Sequence, residues 1–191
     1  MPSSSQPSRW PSDLVYLTSM VYHRSVPPDI LAHIRGSPHI KSSASGPSAV
    51  PNHSLVAIRQ ILDPKHPAHG QNGLFAAKKI PPRTLIIHYL GEVHCDERPD
   101  SDYDLSLYRA PGGPGVGVDA SQMGNEARFV NDFRGIRAKP NATFEDIRTT
   151  TGQLCMSVWS AHEAIKKGDE ILVSYGKSWW RERVAKEDAN P

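Results

Sequence analysis

Two cysteines in 191 residues, Cys95 and Cys155, are too few for a disulfide framework or a cysteine-based zinc site. Reduced, structural thiols suit a cytosolic or nuclear chain. Long apolar runs are missing too, and nothing approaches the roughly 18 residues a membrane-spanning helix needs, so no membrane partner is expected. The opening, MPSSSQPSRWPSD, has no charged stretch followed by an apolar one, so no secretory signal is expected. The nine histidines form no HExxH pattern and there is no GxSxG elbow. Hydrolytic and metal chemistry therefore have no visible carrier, and no metal is expected. His66 and His69 flank a Pro-rich turn and are expected to face solvent. DSDYD (100–104) spaces its Asp residues as a calcium loop would, but Leu105 stands where that loop needs Gly and Pro111 where it needs Glu. GGPGVGVD (112–119) is spaced like a nucleotide loop, yet no Lys-Ser/Thr follows and it reads as a mobile hairpin tip.

What is present is unevenly distributed. Seven of the 17 Pro and twelve Ser fall in residues 1–50. Apolar content is 38 %, low for a globular chain, and becomes more ordinary once that segment is set aside. Residues 1–52 are therefore expected to form a Pro/Ser-rich arm with short helices, outside the main domain. Charge divides as well. Residues 1–90 carry nine Lys/Arg against three Asp/Glu, and residues 91–191 carry thirteen against seventeen. An acidic rear half argues against a nucleic-acid-coated protein, and no sequence-specific nucleic-acid contact is expected. The cluster Glu92, Asp96, Glu97, Asp100, Asp102, Asp104, with only Arg98 against it, reads either as a solvated loop or as a field attracting a cationic ligand.

Apolar spacing predicts a helix from Ser12 to about His23 and a second one opened by Pro27-Pro28-Asp29 and closed by Gly36. Residues 37–52 read as a linker. Beyond residue 53 the pattern becomes short β-like runs at 54–62, 74–80, 84–93, 103–108, 116–120, 141–150, 153–161 and 169–176. Only residues near 121–128 and after Ser178 look helical. The fold class is mostly β with short helices.

Six segments stand in a fixed order: GQNGLFAAKKI (70–80), IIHYLGEV (86–93), DYDLSLY (102–108), VDASQMGNEARFVND (118–132), KPNATF (139–144) and AIKKGDEILVSYG (164–176). Their order, spacing and wording resemble the SET domain of protein lysine methyltransferases, over residues from about 54 to 180. The resemblance implies a domain at 53–180, a polar tail at 181–191, and small curved β-sheets with a C-terminal pseudo-knot that brings Asn131 beside Tyr175.

It also implies methyl transfer from S-adenosylmethionine to a lysine amine, without a metal. Tyr175 matches the family's catalytic tyrosine. Asn72, Gly73, Leu74 and Phe75 match the turn that holds the cofactor's amino-acid end and adenosine. Tyr103, Arg128, Phe129, Asn131, Asp132 and Trp180 match further cofactor contacts. Tyr89 and Val173 join Tyr175 around the substrate channel. The implied partner is a Lys/Arg-rich protein or peptide, a histone by default, and the implied compartment is the nucleus, with the cytoplasm the alternative.

The sequence also departs from the family. Asp132-Phe133-Arg134 follow Asn131 where His-Ser-Cys is usual. Ser174 replaces an Asp, Val173 a bulky aromatic, and Gln71 a Gly. With only Cys95 and Cys155, these 191 residues hold no cysteine-rich segment of the kind that flanks many members. The alternative, from another class, is a catalytically weak or inactive domain that binds peptides or chromatin as an adaptor. Retention of Asn131 and Tyr175 favours the enzyme.

Overall fold

The computed structural model describes residues 6–36 and 51–176. Thirteen short strands fall into five small sheets around one apolar core among these residues. Four strands form the largest sheet: β2 (Val21–Tyr22), β6 (Glu92–His94), β8 (Gly115–Asp119) and β7 (Asp104–Arg109), in that order. A second sheet runs β11 (Ala142–Arg148), β12 (Leu154–Ser160), β5 (Leu85–His88). The remaining strands pair in twos: β3 (Val56–Gln60) with β4 (Asn72–Ala76), β1 (Val15–Tyr16) with β9 (Met123–Gly124), and β10 (Asn131–Asp132) with β13 (Leu172–Val173). The mostly β, SET-type class expected from the sequence is the fold observed.

Most predicted strands form, and the exceptions have local causes. The run 84–93 is two strands, because the chain turns at Gly91 close against Asp119, and a Cβ there would collide with the Asp119 carbonyl. Residues 121–128 are not an α-helix. β9 leads through Asn125 into a short 3₁₀ turn, Glu126–Phe129. The Asn125 amide is committed elsewhere: its Oδ1 accepts from Leu90 N at 3.2 Å and its Nδ2 donates to the His88 carbonyl at 2.9 Å. The expected strand 169–176 keeps only a two-residue ladder. Asn141 takes the place of a neighbouring strand, accepting from Leu172 N at 2.8 Å and donating to the Glu170 carbonyl at 2.8 Å.

The N-terminal segment corrects two expectations. Residues 12–23 form β1 and β2 rather than a helix, since Val and Tyr at the paired positions suit strands and the main body offers free edges. Nor do residues 10–36 lie outside the domain. Trp10, Leu17, Met20, Val26, Ile30 and Ile34 are buried in the common core. The Trp10 ring stands edge-on to Tyr16 and to Phe129, with centroids 5.1 and 5.7 Å apart. Pro and Ser dilute this segment without removing its apolar positions. The second predicted helix is present as α1 (Pro28–Arg35), with Pro at its first turn and Gly36 closing it at φ 74°. Residues 37–50 of the linker predicted at 37–52, Trp180 and the polar tail at 181–191 lie outside the described residues.

Candidate active site

The short parallel pair β10–β13 joins two segments some forty residues apart in sequence, matching Asn131 to Leu172 and Asp132 to Val173. Asp132 makes the join tight. Its Oδ2 accepts from the backbone N–H of Tyr175 at 2.8 Å and from Arg134 Nη1 at 2.7 Å, and its Oδ1 accepts from Arg134 N at 2.8 Å. The Tyr175 hydroxyl donates to the Val130 carbonyl at 2.7 Å, and Phe133 N to the Val173 carbonyl at 2.9 Å. Asn131 and Tyr175 thus come to one place, as the resemblance implied. The acidic residue that replaces the family's histidine supplies acceptors to the tyrosine segment.

Two cavities meet there. The larger, about 670 Å³, is walled by Asn72, Tyr103, Arg128, Phe129, Asn131 and Asp132, and reaches Tyr175. The smaller, about 340 Å³, is walled by Tyr89, Asp104, Val130 and Phe144. Asp102, Tyr103, Arg128 and Tyr175 line both. Arg128 is buried and fixed by its Nε, which donates to the Ala120 carbonyl at 2.9 Å. Its guanidinium lies 4.0 Å from the centre of the Tyr103 ring and 5.0 Å from that of Phe129, which holds both aromatic walls upright. The Tyr89 hydroxyl donates to the Tyr103 carbonyl at 2.7 Å, and its ring meets Phe144 edge-on at 5.9 Å. Burial, with the nearby Tyr175, holds the Tyr89 hydroxyl well above the ordinary tyrosine range, so it stays protonated.

Not every candidate residue reaches a cavity. Leu74 is wholly buried in the core, Gly73 packs against Glu170, and Phe75 lies beneath Arg59. None of the three lines either cavity. Val173 is also fully enclosed behind the wall. Phe144 on β11 adds to the aromatic surface that Tyr89, Tyr103 and Tyr175 give the smaller cavity, and the sequence reading missed it although it quoted KPNATF. The wall that Pro11, Asp13 and Leu14 give the larger cavity was missed as well, because the segment carrying them resembles an arm. His66 corrects another expectation: its side chain is 8 % exposed and pairs with Glu170 at 2.9 Å. A turn rich in Pro and His reads as solvated until a buried carboxylate from a distant segment meets it.

The acidic cluster is partly neutralised within itself. Arg98 bridges Glu92 at 2.7 Å and Asp119 at 3.1 Å, and Asp104 pairs with His94 at 2.9 Å. Asp102 and Asp104 stand at the smaller cavity.

The family model for the SET domain matches residues 71–176. A search of curated proteins returned no match. Among solved structures, the chain is similar to "ctPRC2 in an autoinhibited conformation bound to S-adenosylmethionine", at 23 % identity and a TM-score of 0.51. That alignment covers 71 % of this chain and 17 % of the other. The match to the family model spans more than half of the residues and includes both segments that meet at Tyr175, so the chain belongs to the SET-domain family.

Proposed function

We propose that this protein is a protein-lysine N-methyltransferase that uses S-adenosylmethionine. The observation that carries the reading is the meeting of two cavities at Tyr175, one of cofactor size and a smaller one with aromatic walls. Transfer between a cofactor and a lysine needs two entrances and one junction. The larger cavity suits the cofactor: it has aromatic walls, carboxylates for hydroxyl and ammonium groups, and the side chain of Asn131. When bound, S-adenosylmethionine supplies a methyl group activated by a sulfonium.

The chain's own residues do the rest. Tyr103, Arg128, Phe129, Asn131 and Asp132 bind along the larger cavity. The Asn72–Phe75 strand supports that site with its backbone. Tyr89, Phe144 and Tyr175 line the channel and exclude water. A free lysine has a pKa of about 10.4, so presenting it neutral at pH 7 costs roughly 4–5 kcal/mol, which a dry channel helps to offset. Tyr89 and Tyr175 commit their protons to backbone carbonyls, so their oxygens accept from the amine and aim its lone pair. Tyr175 orients the amine and does not attack. Asp102 and Asp104 favour a Lys/Arg-rich peptide, a histone tail by default, which would put the activity in the nucleus.

The test is methyl labelling. Purified protein with radiolabelled S-adenosylmethionine should label core histones or a basic protein in a cell lysate. Tyr175→Phe should lower transfer by about 100-fold or more. Its affinity for S-adenosylhomocysteine should stay within about threefold of wild type, under 1 kcal/mol. A wild type that neither binds the cofactor nor labels any protein overturns the reading.

A further inference from the structure

Asn131 is held from behind by two buried side chains. Its Nδ2 donates to Glu170 Oε1 at 2.9 Å. The other carboxylate oxygen, Glu170 Oε2, lies 2.9 Å from His66 Nε2. His66 Nδ1 accepts the backbone N–H of Ala68 at 3.0 Å, so the ring proton sits on Nε2, which donates to Glu170. The His66 and Glu170 side chains are 8 % and 9 % exposed. Gly73 makes room for them, since a Cβ there would lie 2.7 Å from Glu170 Oε1. A carboxylate repels an amide oxygen. Glu170 therefore dictates which way round the Asn131 amide sits, nitrogen toward the carboxylate and oxygen toward the cavity that Asn131 lines.

We propose that His66 and Glu170 are a positioning pair that fixes the Asn131 amide with its carbonyl oxygen offered as an acceptor, favouring a ligand with a primary ammonium there. The class selected is a nucleoside carrying an amino-acid chain, over the same nucleoside without it. This rests on reading the larger cavity as the cofactor site. His66 lies in a turn outside the residues the SET model matches, so the pair ties the matched domain to the turn that precedes it.

Calorimetry on the full chain with S-adenosylhomocysteine and with 5′-methylthioadenosine, which lacks the amino-acid portion, tests the pair. The wild type should prefer the former. Glu170→Gln gives Asn131 a partner that can donate, so its amide can turn over; His66→Ala releases the carboxylate. Each should weaken S-adenosylhomocysteine by about tenfold, and 5′-methylthioadenosine by no more than about twofold. His66→Gln retains an N–H donor and should restore most of the difference, with melting curves reporting whether each variant is folded. Equal weakening of both ligands, or no change in either, overturns the pair and leaves the cofactor reading intact. A wild type that binds neither nucleoside instead removes the cofactor reading, and the pair falls with it.

Discussion

Asp132 is the sharpest departure from the family's wording, and the structure gives it a measurable task. Its carboxylate accepts from Tyr175 N, Arg134 N and Arg134 Nη1 at 2.7–2.8 Å, with the side chain 6 % exposed. Asp132→Asn keeps the shape but turns one oxygen into a donor. One of the two ends then faces N–H groups with an N–H of its own. A buried donor left without an acceptor costs about 1–3 kcal/mol. The Arg134 ion pair, 38 % exposed on the arginine side, adds at most about 1 kcal/mol. The sum, about 1–4 kcal/mol, should lower Tm by about 2–16 °C in a chain of this size. Transfer should fall further than stability, because the bond at risk positions the tyrosine. Restoring the family residue with Asp132→His should not rescue, since a neutral imidazole offers a single acceptor. The assay is a thermal melt alongside histone labelling. Wild-type Tm and activity in Asp132→Asn would refute the argument that this carboxylate latches Tyr175.

Other consequences concern the channel, the N-terminal segment and pH. Phe144→Leu should widen the channel and raise the number of methyl groups added per lysine, read by mass spectrometry. Val173→Tyr should not narrow it; the enclosed site has no room, so the variant should lose about 1–3 kcal/mol of stability. Trp10→Ala should cost about 3–5 kcal/mol in chemical denaturation, as for a core residue, whereas a detached arm would show no change. Burial, aided by the charge of His53, lowers the His88 pKa, so its folded form resists protonation. Its contribution is complete above the unfolded value near 6.5 and is lost as pH falls from there through the lower folded value. His53, raised chiefly by its hydrogen bond to Glu126, acts with the opposite sign, contributing below about 6.5 and fading as pH rises through its folded value. His88→Gln should therefore flatten the acid side of a Tm–pH profile, and an unchanged profile would refute the assignment.

Residue order alone carried the family, the strand-rich class and the segments that form the site, because short motifs such as GNEARFVN and IKKGDEILVSYG keep their chemistry wherever the chain folds. α1 was legible because Pro and Gly punctuate locally. What failed was whatever depended on a distant partner. The strands at 15–16 and 21–22 exist because β9 and β6 offer edges, and the burial of Trp10 exists because Phe129 waits for it. Composition made that segment look like an arm, and only packing showed it as a wall of the larger cavity. Phe144 standing in for Val173, Asp132 latching Tyr175, and His66 meeting Glu170 were likewise invisible in sequence. Each pairs residues far apart along the chain, and their meeting is decided by which backbone edges and buried charges remain to be satisfied once the sheets close.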